Sequence, residues 1–257
     1  MKIATFNANS LRSRLDIIRS WLHTHQPDVL GIQETKVQDA DFPMDAFEDT
    51  DYHVLYRGQK AYNGVAVLSK QMPADVVSHL PGDPTDQARF LKAKIGKVTV
   101  LNTYIPQGVE VGSEKFQYKL DWFGWLRDYL DNSHRPDEQL VWLGDFNVAR
   151  QDMDVYNPKE LWGHVCFCKP VQEALETVMA WGLTDLFREF CTEPEHYTFW
   201  DYRIPNGFKR NMGWRLDYIM ATAPCVKRCR NCWIDKDPRG RPKPSDHTFL
   251  AADFDIE

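Results

Sequence analysis

Long apolar runs are missing from this 257-residue chain: stretches such as 65–68 and 140–143 stop after four residues, far short of the ~18 that a membrane-spanning helix needs. No membrane span is expected. Residues 1–9 pass from a single lysine into a short alternating stretch, without an apolar h-region or a small-residue cleavage site, so the chain reads as cytoplasmic. Cysteine is scarce as well. Six in the whole sequence are too few for a scaffold built on disulfides, and reduced thiols are the expectation. Nor is there an excess of positive charge, since 31 Lys and Arg stand against 37 Asp and Glu, a net −6. Over the whole chain that balance argues against a nucleic-acid partner, whose phosphates are bound by Lys and Arg. One segment reverses the argument. Residues 203–243 carry 11 basic and 3 acidic side chains, a local +8 that leaves −14 for the remainder. This is the asymmetry of a molecule with one basic face, or of a solvated charge run.

What is present is an ordinary globular composition, 43% hydrophobic and 26% charged, which excludes whole-chain disorder. Its evenness along 1–257 points to a single domain. Alternation over 2–6 predicts a strand. Leu11, Leu15, Ile18, Trp21 and Leu22 then recur at helical spacing until Pro27 stops the run, and 29–32 reads as the next strand. Short strand-like runs follow at 53–56, 64–68, 76–80, 90–95 and 98–104, with Gly96-Lys97 as a hairpin turn between the last two. A second amphipathic helix is marked by Phe116, Leu120, Phe123, Leu126, Tyr129 and Leu130, and 140–143 has the continuous apolarity of a strand buried on both faces. Pro170 and Gly182 frame a third helix over 171–181, and strands return at 216–221, 225–234 and 248–254. This order lacks regular βαβ alternation. Two mainly antiparallel sheets packed face to face, with helices on the outside, satisfy it best.

Several of these strands end abruptly in a polar residue: Asn7, Glu34, Asp145 with Asn147, and Asp246 with His247. Asp217 sits inside an apolar stretch, where an unpaired carboxylate would cost several kcal/mol or more, so it requires a partner. A single such position is ordinarily a turn residue. A convergence of carboxylates, carboxamides and imidazole without thiolates describes a hard, oxygen-rich site for Mg²⁺ or Mn²⁺ beside a phosphate ester.

The ordered motifs Ile3-Ala4-Thr5-Phe6-Asn7-Ala8-Asn9, Gln33-Glu34-Thr35-Lys36, Asn63-Gly64-Val65-Ala66, Asn102-Thr103-Tyr104-Ile105-Pro106, Gly144-Asp145-Phe146-Asn147, Gly213-Trp214-Arg215-Leu216-Asp217-Tyr218 and Ser245-Asp246-His247 span the chain from first strand to last. Together they resemble the exonuclease III family of apurinic/apyrimidinic endonucleases, within the endonuclease/exonuclease/phosphatase superfamily. Lys115-Phe116-Gln117-Tyr118-Lys119, Tyr197-Thr198-Phe199-Trp200 and Gly213-Trp214-Arg215 narrow the resemblance to that branch. It implies a four-layer, DNase I-like α/β sandwich with the active site at one edge of the two sheets.

By this resemblance Glu34 would be the principal ligand of Mg²⁺, with Mn²⁺ able to substitute, and Asn7 and Asp246 would lie close to the ion or its waters. Asp145 and Asn147 would hold the attacking water, Asp217 would pair with His247 against the phosphate, and Tyr104 would place its hydroxyl on a phosphate oxygen. Either Asp145 or His247 could take the water's proton. Phe199, Trp214 and Leu216 would line a slot for a flipped-out abasic sugar. Arg203 and Arg215 would contact phosphate or wedge into the duplex, and Gln107, which stands where the family commonly has Asn, would keep a phosphate contact through its amide. Lys115 and Lys119 are weaker candidates, on the side of a helix read as exposed. The implied activity is cleavage 5′ to abasic sites in double-stranded DNA, leaving a 3′-hydroxyl, with processing of 3′ ends, by a monomer. A phosphatase of the same superfamily and a non-catalytic DNA-binding module are the alternatives. The segment 162–167 departs from the family's Asn-bearing loop and receives no role. Cys225, Cys229 and Cys232 have the spacing of an iron–sulfur motif, and are also compatible with a zinc or disulfide clamp with Cys166 and Cys168, or with ordinary strand thiols.

Overall fold

Two strand-helix-strand units of the same design set the frame. In the first, β1 (Lys2–Asn7) runs into α1 (Leu11–His25) and returns as β2 (Val29–Gln33), parallel to β1. Helix α1 buries Leu11, Ile18, Trp21 and Leu22 on one face and ends at Gln26, left-handed at φ 49°, whose N–H donates to the Leu22 carbonyl just before Pro27. β3 (His53–Arg57) and β4 (Val65–Ser69) continue this sheet antiparallel. β5 (Ala74–Val77), β6 (Phe90–Ile95) and β7 (Val98–Tyr104) open the second sheet. The second unit then repeats the first: α2 (Glu114–Ser133), capped by the Ser113 hydroxyl accepting from the Phe116 N–H at 3.2 Å, leads to β8 (Leu140–Asp145), parallel to β7. α3 (Pro158–Leu161), α4 (Lys169–Met179), β9 (Leu183–Asp185), α5 (Leu186–Phe190), β10 (Asp217–Thr222), α6 (Ala223–Val226), β11 (Cys229–Asp235) and β12 (Phe249–Phe254) follow. The computed structural model describes residues 1–256.

The strands form two six-stranded sheets, ordered β11-β12-β1-β2-β4-β3 and β5-β6-β7-β8-β10-β9. Side-chain alternation sorts their residues into layers. Ile3, Val29 and Val67 of the first sheet meet Val100, Val141 and Ile219 of the second. On the outer face of the first sheet Phe6, Leu30 and Phe249 pack against Ile18 and Trp21 of α1, and on that of the second Leu101 and Trp142 pack against Phe123 of α2 and Val171 of α4. The four-layer sandwich expected from the sequence is the observed architecture.

Near one edge the apolar layer between the sheets gives way to a polar clamp. Asn102 on β7 donates to the carbonyls of Ile32 (3.1 Å) and Ala66 (2.8 Å) in the opposite sheet and accepts from Gln33 Nε2 at 2.6 Å. Fully buried, these bonds fix the offset of the sheets one residue before Glu34 and two before Tyr104. Gly31 permits the approach, since a Cβ there would lie 2.3 Å from Leu143 Cδ1.

Two expected strands shift. The run read at 76–80 is the edge strand β5, mostly exposed, and it ends at Val77. The run read at 225–234 starts four residues late because Pro224, at the first turn of α6, commits that stretch to a helical turn. All six cysteines are free. Cys166 and Cys168 lie in the core outside the second sheet, and Cys225 and Cys232 in the layer between the sheets, so no clamp joins them. Among the described residues none of the cysteines belongs to a group able to hold a metal.

Candidate active site

The C-terminal ends of β1, β2, β7 and β8 meet at one edge of the sandwich, and each delivers a polar side chain there. Asn7 ends β1, and its Nδ2 donates to Glu34 Oε1 and to Asp145 Oδ2, both at 2.8 Å. A carboxylate from each sheet is thereby tied to one amide. Glu34 follows β2 in the left-handed region at φ 49°, and Lys36 shares that conformation at φ 53°. Non-glycine residues adopt it at a cost of ~1–3 kcal/mol, which their surroundings must offset. The outcome is a Lys36 Nζ 2.9 Å from Glu34 Oε2 and also bonded to Asn9 Oδ1. Asp145 ends β8 beside Tyr104, its register partner on β7, and its Oδ1 accepts from the Asn147 N–H at 2.9 Å.

His247 reaches the same point from the loop before β12. Its Nδ1 lies 2.8 Å from Asp217 Oδ2, and its Nε2 lies 3.7 Å from Asp145 Oδ2. Asp217 begins β10 directly opposite Asp145 and is wholly buried, so its pairing with His247 answers the burial problem posed by the sequence. The Ser245 hydroxyl donates to the Asn7 carbonyl at 2.8 Å and accepts from the His247 N–H at 3.2 Å, fixing this loop to β1. Asp246 accepts from Asn9 Nδ2 at 3.0 Å.

Burial pushes the Asp145 carboxyl well above the usual carboxylate range; the His247 cation opposes that rise, and the Asp217 and Glu34 charges add to it. Burial alone would lower His247, but Asp217 and Asp145 outweigh it, and the imidazole is held well above its ordinary value. Glu34 is also desolvated, yet Lys36 and the Asn7 amide overcome the penalty and keep its carboxyl below the ordinary range. Burial and then the Glu34 charge raise the Tyr104 phenol, opposed by Arg89, whose guanidinium lies 4.7 Å over the ring. These directions favour the protonated imidazole at His247 and the ionised form of Glu34, and they ease proton uptake at Asp145. Glu34, Asp145 and His247 present ligand atoms within 4.8 Å of one another. The two carboxylates of that set can hold a divalent metal, whereas the protonated imidazole donates from both ring nitrogens and offers no lone pair.

Of the expected residues, Glu34, Tyr104, Asp145, Asn147, Asp246 and His247 line one cleft of ≈ 390 Å³. Gln107, Phe199, Arg203, Trp214 and Leu216 line it too. Asn7 and Asp217 stand behind the wall, where they position its carboxylates and imidazole. Phe199 bridges in backbone both to Trp214 and to His247, and its ring lies 4.8 Å from the imidazole, so the apolar slot and the charged group share a wall. Arg203 is exposed and paired with Asp201 at 2.6 Å.

Two expectations are corrected. Arg215 does not face DNA: it is completely buried, its Nε is 2.8 Å from Asp154 Oδ1, and its Nη2 is 2.8 Å from Asp185 Oδ2. The signal was available, because Trp214 and Leu216 both point into the cleft and the residue between them in an extended chain must point away. Lys119 is likewise fully buried instead of lying on the solvent side of α2. Asn9, Lys36, His164, Asp201 and Tyr202 also line the cleft without having been assigned there. Lys36 could have been found two residues from Glu34. His164, whose ring is tilted over Trp214 at 4.9 Å, arrives by a loop that carries no periodic signal.

The model of the endonuclease/exonuclease/phosphatase family matches residues 4–247. The chain is 34% identical to exodeoxyribonuclease III of Haemophilus influenzae over 99% of its own length and 100% of that protein. It superimposes on the structure of an AP endonuclease from Archaeoglobus fulgidus with a TM-score of 0.97 at 44% identity, and on the 3′ phosphatase NExo from Neisseria bound to a product DNA hairpin with 0.95 at 35%, covering 100% of both chains in each case. The chain belongs to the endonuclease/exonuclease/phosphatase family, in its exonuclease III branch of AP endonucleases.

Proposed function

We propose that this chain is a metal-dependent phosphodiesterase of DNA repair that cuts duplex DNA 5′ to an abasic site and also processes 3′ ends. The observation that carries the reading is the convergence of Glu34, Asp145 and His247 within 4.8 Å, in the cleft whose other wall is the apolar slot of Phe199, Trp214 and Leu216. A wall of two aromatic rings and a leucine suits a sugar that has lost its base.

The donors fit a hard cation, because two carboxylates, one from each sheet, converge on one amide and offer only oxygen ligands. Glu34 would hold Mg²⁺, or Mn²⁺ in its place, with Asp246 and Asn7 supporting the ion's waters and neighbouring ligand. When bound, the metal would polarise a phosphate oxygen as a Lewis acid. Asp145, oriented by the amides of Asn7 and Asn147, takes the proton of the attacking water. His247 cannot serve as base while it is an imidazolium; held by Asp217, it presents its charge to the phosphate as the P–O3′ bond breaks. The Tyr104 hydroxyl, which stays protonated, donates to a phosphate oxygen. Arg203, Gln107 and the basic residues of 203–243 attract the flanking backbone. The unit acting is one domain, 1–257, working as a cytoplasmic monomer with its thiols reduced.

Salt and slot separate damage recognition from general attraction to DNA. Trp214→Ala is expected to lower kcat/KM on an abasic duplex by about 1 to 3 kcal/mol while leaving the dependence of affinity on salt unchanged. Arg203→Ala should reduce the salt slope by about one unit with little effect on the preference for abasic over intact duplex. Equal damage to both substrates by Trp214→Ala would make Trp214 a packing residue and remove the slot from the account.

A further inference from the structure

A lysine that the proposed chemistry does not use lies directly beneath the cleft. Lys119 on α2 has no exposed surface, and its Nζ donates to three main-chain carbonyls: Asn147 at 2.7 Å, Val165 at 2.9 Å and Gln107 at 3.0 Å. An ammonium has three hydrogens, and here each has an acceptor. The three carbonyls come from three separate loops, after β7, after β8 and before α4. The same loops present Gln107, Asn147 and His164 to the cleft. Its stem is covered closely, since a Cβ on Gly108 would lie 3.3 Å from Lys119 Cδ and 3.1 Å from a Phe116 ring carbon.

We infer that Lys119 is a positioning residue, whose buried ammonium draws three loops together and thereby sets the reactive orientation of Asn147. Asn147 is where such a tether matters most. It sits in the left-handed region at φ 51°, its N–H donates to Asp145 Oδ1, and its side chain donates to the Ile105 carbonyl at 3.0 Å. A residue in that region is kept there by its surroundings, and the Lys119 bond to its carbonyl fixes the remaining polar group of its peptide. Without the ammonium, three carbonyl dipoles would face one another across a dry gap and the loops would separate.

The inference rests on the proposed role of Asn147, and the test keeps the two apart. Lys119→Met preserves the volume and removes the charge. On protein confirmed as folded by circular dichroism, its kcat on an abasic duplex should fall about 10- to 100-fold, the scale set by displacing a catalytic group by up to an ångström. Asn147→Ala alone should also lose activity, and the double variant should lose little beyond Asn147→Ala, because Lys119 acts through that residue. Lys119→Ala should regain part of its rate with added ethylammonium but not with sodium at equal ionic strength. Should Lys119→Met not fold, Lys119→Gln, which retains an amide donor, takes its place in the same cycle. A folded variant within twofold of the parent, or fully multiplicative losses in the double variant, would overturn the inference. An active Asn147→Ala would instead overturn the role given to Asn147.

Discussion

Replacing His247 with alanine should lower kcat on an abasic duplex by about 10³-fold, because it removes a fixed cation from a desolvated site where charge develops in the transition state. Nδ1 of His247 is held 2.8 Å from the fully buried Asp217, while Nε2 faces Asp145 at 3.7 Å. The companion variant Asp217→Asn tests the assigned protonation state. Burial lowers the His247 pKa, and the Asp217 and Asp145 charges raise it above its ordinary value despite that. Removing the Asp217 charge therefore lets the imidazolium lose its proton at a lower pH. Since activity is assigned to the protonated imidazole, the alkaline limb of the kcat profile should move to lower pH, with a smaller loss of rate at the optimum than in His247→Ala. An unchanged alkaline limb would mean that His247 acts as a neutral group, and near-parental activity in His247→Ala would remove the pair from the mechanism. Rates should be normalised to folded protein, because the alanine variant leaves two carboxyls buried without their cation.

The second large effect is expected at Glu34. Its carboxyl is held below the ordinary range, against its own desolvation, by Lys36 and the Asn7 amide, so it remains ionised through neutral pH and well into the acid range. Glu34→Gln keeps the shape and removes the charge. The metal concentration giving half-maximal rate should rise at least about tenfold, the rate at saturating Mg²⁺ should fall, and Mn²⁺, which tolerates softer and less charged ligand sets, should recover part of the loss. Isothermal titration of the metal into the free protein gives an independent readout. The same metal titration in parent and variant would exclude Glu34 as the principal ligand. The variant also removes the charge that Lys36 is paired with, leaving its bond to Asn9, so Lys36→Met is the control for any change in DNA affinity.

The residues most legible in the sequence were those where an apolar strand switches abruptly to a polar side chain: Asn7, Glu34 and Asp145 each sit at such a switch, His247 stands just ahead of the apolar run of β12, and the fold brings all four to one edge. Asp217 was legible through its cost, as a carboxylate placed among buried residues. The parallel pairing of β1 with β2 and of β7 with β8 was not, because one sequence carries periodicity but no record of which strands bond. Arg215 was misread because a local excess of basic residues says nothing about which way each one faces; its charge is balanced internally by Asp154 and Asp185. Lys119 was misread for a related reason. A lysine on a helix is ordinarily solvated, and only the three carbonyls gathered from distant loops make its burial tolerable. Elements such as β9 and α5, three and five residues long, are too short to develop a recognisable period.

The central claim is that one cleft joins a metal-dependent phosphodiesterase centre to a slot for a sugar without its base. It is tested most directly by incubating the protein with Mg²⁺ and an end-labelled duplex containing a single abasic site, beside the same duplex intact and a phosphoinositide, each with and without EDTA. The account predicts one incision immediately 5′ to the abasic site, leaving a 3′-hydroxyl that a polymerase can extend, abolished by EDTA, with slower attack on the intact duplex from its 3′ ends and none on the lipid phosphate. Incision that persists in EDTA, or phosphate release from the phosphoinositide without incision of the abasic duplex, would contradict it.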